Sequence, residues 1–291
     1  MSADRCRAIT VIAFIGSVFS PYYRWSGRRD ATNHICINVA TYGPGGRFAM
    51  TERGREALIQ ETHKLVIGPS SLRWTGNELH IHIDERGAPP IFGKLRGSVT
   101  VIPTAITPYE AALTQDDRHI WRPFAPVADI RVELDADQWT WQGHGYFDAN
   151  FGLRPLESDF DSWTWGRFPT TDGATVFYDT ALSNQTSLNA AIAFSPDGTA
   201  SEAGDFPFID LKRSRWALRR ETRADPNGNA REIMSMLDAP FYSRSLVQTR
   251  LNGVETVGVH ETLSLVRFRS AFLMPMLACR IPRRRRWNHQ K

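Results

Sequence analysis

The chain has 291 residues and 42% of them are hydrophobic, which is enough to build a large core and more than one domain usually holds. We therefore expect two domains. The 35 Lys and Arg residues exceed the 31 Asp and Glu residues by only four, too little to indicate nucleic-acid binding over the whole surface. Cys6, Cys36 and Cys279 are widely separated, which argues against a disulfide framework or a zinc site and is typical of a reducing compartment.

The first apolar segment, Ala8 to Phe19, follows Arg5 and Arg7 and so imitates a signal peptide. The segment is too short to span a bilayer, and no small-x-small cleavage site follows it. Its many β-branched residues favour a buried strand. We expect the strand.

The next segments also alternate as strands do. His34 to Tyr42 alternates and ends at the Gly43 to Gly46 turn, and Leu79 to Asp84 alternates strictly, which predicts a half-buried strand. Between them, Thr51 to Gly54 begins the best candidate for a short helix, with Thr51 as its N-cap.

His80 and His82 lie on one face of the predicted Leu79 to Asp84 strand, which is an arrangement that can bind a metal. A third ligand at a suitable spacing is missing from the pattern. We therefore interpret both as polar residues on the solvent side of the strand, and we predict no metal site.

The segment from Trp139 to Glu157 contains the highest concentration of titratable and hydrogen-bonding side chains beside aromatic ones. Its residues alternate between a bulky apolar face and a polar, titratable face. The apolar face holds Trp139, Trp141, Gly143, Gly145 and Phe147, and the polar face holds Thr140, Gln142, His144, Tyr146 and Asp148. This pattern suits the wall of a β-lined cavity, where loss of hydration would raise the pKa of Asp148 and make it a general acid. The competing interpretation is that Asp148 to Gly152 is a turn.

The rest of the chain also has the pattern of strands. His119 and Trp121 share one strand face, and Asp161 to Phe168 begins a second aromatic strand. This places a junction near Glu157, between an N-terminal domain of residues 1–156 and a C-terminal domain of residues 157–291. Further strand-like runs follow at Ala174–Thr180, Ser187–Phe194, Trp216–Thr222, Phe241–Leu251 and Val254–Arg269. Helical periodicity is nearly absent, so the sequence predicts an all-β protein of sandwich or barrel type.

The C-terminal segment Arg280 to Trp287 is basic and contains one aromatic residue. Such a segment can rest on a lipid surface, which predicts a peripheral membrane contact. The alternative is a solvated tail without a partner. Arg283 to Arg286 alone would support only nonspecific contact with nucleic acid, and we predict no nucleic-acid partner.

Several motifs, in order along nearly the whole chain, resemble the carotenoid 1,2-hydratases, also called hydroxyneurosporene synthases. They are Val11 to Tyr23, Asn33-His34, Tyr42 to Pro44, Met50 to Gly54, Ile67 to Ser70, His119 to Trp121, Gly145 to Asn150 and Ala239 to Tyr242. The resemblance implies two lipocalin-like β-barrel domains side by side and no metal or organic cofactor. It implies addition of water to the terminal C1–C2 double bond of an acyclic carotenoid such as neurosporene or lycopene, by a cytoplasmic protein at the inner or photosynthetic membrane. The family's Gly-Gly-Tyr and Trp-Trp-Tyr type segment ahead of the first strand has no counterpart here, so we expect a late start codon or a missing wall strand.

The same resemblance implies the site residues, through a His-x-Trp and a Tyr-x-Asp motif. In this chain they are His119 and Trp121, and Tyr146 and Asp148, all in the N-terminal domain. We assign Asp148 as the acid that protonates C2, and the ring faces of Trp121 and Tyr146 as stabilisers of the cation at C1. His119 would orient Asp148 or take the proton from the attacking water.

Two other functions fit parts of the pattern. A non-catalytic lipocalin-like carrier of a carotenoid or another terpenoid would show the same aromatic lumen. A carbohydrate-active enzyme would use acids such as Glu157, Asp159 and Asp161, but these cluster in one short linker where we expect them to be solvated.

Overall fold

A computed structural model describes residues 1–88, 92–136 and 139–284 of the chain. The protein divides into two compact units, and each unit is assembled from separate stretches of sequence. Unit 1 contains residues 1–103, 129–145 and 271–291, and unit 2 contains residues 104–128 and 146–270. The predicted junction near residue 157 divides the chain into consecutive segments instead, and it stays a prediction.

Strands dominate the described residues, as predicted, and the helices are short. The strands are β1 Ala8–Ile15, β2 Ile35–Tyr42, β3 Phe48–Met50, β4 Glu52–Arg53, β5 Leu58–Glu61, β6 Lys64–Ile67, β7 Ser70–Trp74, β8 Leu79–Arg86, β9 Lys94–Pro103, β10 Ala111–Ala112, β11 His119–Leu134, β12 Thr140–Gly152, β13 Phe160–Thr170, β14 Gly173–Leu182, β15 Ser187–Phe194, β16 Ala200–Glu202, β17 Phe208–Leu211, β18 Arg220–Arg223, β19 Arg231–Asp238, β20 Tyr242–Leu251, β21 Val254–Ser264 and β22 Arg283–Arg284. The α-helices are α1 Pro21–Trp25, α2 Leu156–Asp159, α3 Leu265–Phe268 and α4 Leu273–Arg280, and two 3₁₀ turns lie at Ala31–Asn33 and Arg55–Ala57. In the described ranges, no helix is long and apolar enough to cross a bilayer.

The first sheet of unit 1 begins with the segment that imitates a signal peptide. That segment forms the strand β1, as predicted, and pairs antiparallel with β2 from Ala8 opposite Tyr42 to Ile15 opposite Ile35. The order of this sheet is β1-β2-β4-β22, with β3 also paired to β2. Every residue of β2 is buried, so this strand forms the centre of the unit.

The helix predicted from Thr51 is wrong. Glu52 and Arg53 form β4, which pairs with β2 and, in parallel, with β22, and a 3₁₀ turn follows only at Arg55–Ala57. Both side chains are buried against polar partners, with Arg53 donating to Glu85 at 2.7 Å and Glu52 lying 2.8 Å from His34. Pairing with distant strands therefore overrides a weak local helix signal.

The second sheet of unit 1 contains β5 to β9 in consecutive antiparallel order, with β9 next to β11. Leu79, Ile81 and Ile83 of β8 are buried while His80 and His82 are exposed, which confirms the predicted half-buried strand. His80 Nε2 lies 3.2 Å from a Glu78 carboxylate oxygen. Across the described part of the chain, no group of three or more His, Cys, Asp and Glu residues could hold a metal.

Unit 2 is built on a seven-stranded antiparallel sheet in the order β16-β15-β14-β13-β21-β20-β19. We call the side that carries Trp163, Trp165 and Arg167 of β13 the aromatic face. The opposite side, which carries Thr164 and Phe168, is called the core face. On the core face Phe168 packs into a buried cluster whose other buried members are Phe177, Ala203, Phe206, Leu211, Val247 and Leu251.

Candidate active site

The aromatic face of unit 2 meets the last part of β12. Because strand residues alternate, Tyr146, Asp148 and Asn150 point to one side. The Tyr146 ring lies 5.2 Å from the Trp165 ring, and the Tyr178 hydroxyl lies 3.4 Å from Asn150 Oδ1. The strand continues to Gly152 and pairs with β11, so the turn interpretation of residues 148–152 is wrong.

Asp148 accepts two hydrogen bonds at the same carboxylate oxygen. The Tyr146 hydroxyl donates to Oδ2 at 2.8 Å, and the Trp121 indole N–H donates to Oδ2 at 2.9 Å. The indole nitrogen also lies 3.1 Å from the Tyr146 oxygen, so the three side chains form a closed network. Both donors are neutral groups.

Burial raises the pKa of Asp148 to about 6, although the hydrogen bonds from Tyr146 and Trp121 lower it. The negative charge of Glu261 adds to the rise, and the positive charge of Arg244 opposes it. With such a pKa, about one Asp148 side chain in ten is protonated at pH 7. Burial and the neighbouring Asp148 raise the pKa of Tyr146 well above its usual range, so Tyr146 stays a hydrogen-bond donor.

Trp121 presents its N–H edge to Asp148, while other aromatic side chains surround its ring. It is fully buried, and its ring centroid lies 5.4 Å from that of Tyr178, 6.2 Å from Tyr109 and 6.5 Å from Phe194. The geometry therefore offers the indole as a hydrogen-bond donor to the acid. It does not offer the open ring face expected from the sequence.

His119 shares a strand face with Trp121, as predicted, but it has a different partner. Its Nε2 lies 2.8 Å from Asp159 Oδ2, and its ring packs edge-on against Phe160 at 4.9 Å. Its Nδ1 has no hydrogen-bond partner among the described residues. Gly152 packs against this nitrogen, and a Cβ atom at position 152 would lie only 2.8 Å from Nδ1. The structure therefore does not bring His119 into the hydrogen bond with Asp148 that an orienting role required.

Two of the acids expected to be solvated in the linker form ion pairs, and the Asp161 side chain remains 41% exposed in its pair. Asp159 binds His119 and lies 3.3 Å from Arg154, and Asp161 lies 2.9 Å from Arg269. Asp159 is 40 residues away from His119, so no local spacing indicated this pair. The sequence indicated Asp159 only as one acid of the linker, and its contact with His119 was not predicted.

Four residues stand directly opposite one another across the aromatic face. In strand order they are Tyr178 on β14, Trp165 on β13, Glu261 on β21 and Arg244 on β20. Arg244 Nε donates to Glu261 Oε1 at 2.7 Å. Neither the pair nor Tyr178 stood out in the sequence, because the register that aligns them is a tertiary feature.

The site is only partly closed. Tyr146, Asp148, Trp165 and Glu261 keep part of their surface exposed, whereas Trp121 is buried. The arrangement is thus a protonatable carboxyl group held by neutral donors at an aromatic surface. Such a site suits proton transfer to an apolar molecule within an all-β protein.

Residues 11–290 match the family model described as Carotenoid hydratase CrtC, and the chain belongs to this family. It is 54% identical over 281 residues to the acyclic carotenoid 1,2-hydratase of Rhodobacter capsulatus, covering 96% of this chain and 100% of that relative. It is 53% identical over 278 residues to the acyclic carotenoid 1,2-hydratase of Cereibacter sphaeroides, covering 96% and 99%.

The fold also has a counterpart among solved structures. A crystal structure from Nitrosomonas europaea, described as an AttH protein, aligns with a TM-score of 0.56 at 10% identity. The alignment covers 79% of this chain and 81% of that one. At this identity the likeness concerns the fold alone, and it confirms the predicted lipocalin-like, all-β class.

Proposed function

We propose that this protein is a carotenoid 1,2-hydratase that adds water to the terminal C1–C2 double bond of acyclic carotenoids, with Asp148 as the acid. The family membership supports the reaction. The observation that carries the assignment of the acid is the environment of Asp148, where burial raises the pKa to about 6 and two neutral groups hold one carboxylate oxygen.

The reaction must begin with a proton, because a trisubstituted alkene offers no site for a nucleophile. The π electrons of the alkene take the proton of Asp148 at C2, which leaves a tertiary cation at C1 and a carboxylate at Asp148. The hydrogen bonds from Tyr146 and Trp121 strengthen as that negative charge develops, since charge-assisted hydrogen bonds are stronger than neutral ones. Both donors therefore stabilise the transition state more than the ground state.

Water then captures the cation at C1 and loses a proton, and the product is a tertiary alcohol. The rings of Tyr146, Trp163 and Trp165 are partly exposed, and Tyr146 packs against Trp165 on the aromatic face. A cation over an aromatic ring gains on the order of 0.5 to 2 kcal/mol, so these rings supplement the acid.

We assign His119 an indirect role. The His119–Asp159 contact and the packing on Phe160 hold the start of β11 in place. Trp121 follows two residues later on the same strand face, and its N–H reaches Asp148. His119 is thus a positioning residue in this proposal.

The test is anaerobic incubation of the purified protein with liposomes that contain lycopene or neurosporene in ¹⁸O-labelled water. Chromatography and mass spectrometry should detect mono- or dihydroxy products that carry oxygen from water. Binding of the polyene without any hydroxylated product would instead support the carrier function.

We further propose that the protein works at the inner or photosynthetic membrane, on its cytoplasmic side, through an apolar surface of unit 1. Phe272 is 92% exposed and Met276 on α4 is 41% exposed, while Leu273 and Leu277 on the other side of this helix are buried. Trp25, on the adjoining α1, is 58% exposed. Exposed apolar side chains beside basic ones are typical of contact with an anionic lipid surface.

Basic residues accompany this surface. Arg24, Arg28 and Arg29 lie in or just after α1, and Arg280 ends α4. The predicted basic tail continues beyond them, but its residues Arg285 to Trp287 lie outside the described residues. The charge favours a bilayer that contains anionic lipid.

Flotation with vesicles of anionic phospholipid tests the contact. The double variant Phe272→Ser with Met276→Ser should lose vesicle binding, while Val254→Ser, which changes a 53% exposed residue of unit 2, should not. Equal binding by both variants and the unchanged protein would contradict the proposed surface.

A further inference from the structure

The aromatic face carries a second acid that the mechanism above does not use. Glu261 and Arg244 stand opposite each other on β21 and β20, and Arg244 contacts Glu261 Oε1 through Nε at 2.7 Å and Nη2 at 2.6 Å. The Arg244 side chain is only 6% exposed, whereas that of Glu261 is 20% exposed. The cation is therefore enclosed, and part of the carboxylate remains open.

The strand register places this carboxylate beside the acid site. Glu261 is directly opposite Trp165, and the Trp165 ring contacts the ring of Tyr146, which donates to Asp148. Neighbouring strands lie about 4.8 Å apart, so Glu261 is one strand away from the residue that packs on Tyr146. The charges of Glu261 and Arg244 both act on Asp148, in opposite directions.

The other titratable groups around Asp148 are poor proton acceptors. Burial raises the pKa of Tyr178 beyond its usual range, and Tyr146 already donates its proton toward Asp148. Arg167 donates to the Pro126 carbonyl oxygen, and a guanidinium group has no free acceptor. Among the described groups that act on Asp148, Glu261 is the carboxylate that remains.

We propose that Glu261, held by Arg244, accepts the proton from the water molecule that captures the carotenoid cation. The inference rests on the proposed hydration and adds a catalytic base to it. After the first step Asp148 is a carboxylate, and the hydrogen bonds from Tyr146 and Trp121 make it a weak base. A separate base therefore takes the proton from water while these two hydrogen bonds stay in place.

The step balances in atoms and charge. The water oxygen forms its bond to C1 and loses one proton to a Glu261 carboxylate oxygen, so Glu261 becomes neutral. Asp148 is left as a carboxylate. The resting enzyme returns when Glu261 releases its proton to solvent and Asp148 takes one from solvent.

The variant Glu261→Gln in D₂O tests the proposal. It keeps the shape of the side chain but removes the base, so we expect kcat to fall by about 100-fold or more while KM changes little. Asp148 should still deliver deuterium to C2. Since capture by water is slow, the cation should return a hydrogen nucleus from C2 to the Asp148 carboxylate. When rotation about the C1–C2 bond presents the original hydrogen, that hydrogen is lost, and recovered substrate carries deuterium at C2.

Matched variants separate this role from a structural one. Glu232→Gln changes the same kind of pair on the core face, where Glu232 pairs with Arg220, and it should keep kcat near the unchanged value. Glu261→Asp, which retains a carboxylate, should recover part of the rate. Asp148→Asn should hydrate about 1,000-fold more slowly and should exchange deuterium no faster than it hydrates.

A Glu261→Gln protein that hydrates within threefold of the unchanged rate would overturn the proposal. So would a folded Glu261→Gln protein that is slow but incorporates no deuterium.

If Glu261→Gln does not fold, Glu261→Ala with added formate takes its place. A rate that rises with formate supports the base, and a slow, folded Glu261→Ala protein that formate leaves unchanged overturns it. If the unchanged protein itself forms no alcohol, the proposed function fails rather than this inference.

Discussion

An aspartate lies at each face of the seven-stranded sheet in unit 2, and the two have different partners. Asp179 belongs to β14 of the sheet, whereas Asp148 belongs to β12. On the core face, Arg223 contacts Asp179 through two nitrogens, at 3.0 and 2.7 Å, and both side chains are buried. On the aromatic face, the hydrogen bonds to Asp148 come from the neutral side chains of Tyr146 and Trp121.

This difference decides what each acid can do. Burial raises the pKa of Asp179, but the hydrogen bonds and the charge of Arg223 oppose the rise. At Asp148 the two hydrogen bonds come from neutral groups, and burial raises the pKa to about 6. The core face therefore ties its acid to a cation, and the other face offers an acid that can carry a proton near neutral pH.

The largest effect should come from Asp148→Asn. The variant removes the transferable proton, and we expect the hydration rate to fall by about 1,000-fold, within the range of general acid catalysis. Stability should change by less than about 1 kcal/mol, because the amide keeps the volume and loses a charge that burial disfavours. Product analysis and thermal unfolding check the two effects, and hydration within tenfold of the unchanged rate would contradict the assignment.

Asp179→Asn should lower stability strongly and activity little, which is the reverse of Asp148→Asn. It leaves the Arg223 charge buried without its anion, and breaking such a pair costs about 3 to 5 kcal/mol of unfolding free energy. Denaturant titration measures this loss. The kcat per folded molecule should stay within a few-fold, and a large fall in kcat at full stability would mean that the core face takes part in the chemistry.

Tyr146→Phe tests how a neutral hydrogen-bond donor affects the pKa of Asp148. Activity requires protonated Asp148, so the rate should fall about tenfold per pH unit above pH 6. The hydrogen bond from Tyr146 lowers the pKa of Asp148, so its removal should raise that pKa. The fall of kcat at alkaline pH should therefore begin at a higher pH in Tyr146→Phe. If it begins at a lower pH instead, the Tyr146 hydroxyl stabilises protonated Asp148 and the prediction is wrong.

The smallest effect should come from His119→Gln. His119 contacts Asp159 rather than Asp148, so its loss should lower kcat by about tenfold or less and leave the pH limb in place. The pH profile of this variant is the measurement. A shift of the limb, or a loss as large as that of Asp148→Asn, would place His119 in direct contact with the reacting groups.

Much of the strand content was predictable because alternation is local. The β8 strand with its exposed His80 and His82, and the β12 strand with Tyr146 and Asp148 on one side, follow from a period of two residues. Where long-range pairing competed with local signals, prediction failed. Thr51 precedes a strand and not a helix, and the run predicted as a strand to Arg269 ends at Ser264, after which α3 begins.

The sequence by itself determined the all-β class, the alternation that turns Tyr146 and Asp148 to the same side, and, through its motifs, the likeness to the hydratase family. Only the tertiary structure decided the partners of each group. Trp121 reaches Asp148 across 27 residues and His119 reaches Asp159 across 40, while Glu261 faces the site through the register of β13, β21 and β20. Strand periodicity is set by neighbouring residues, but register and burial, which set the pKa of Asp148, depend on segments distant in the chain.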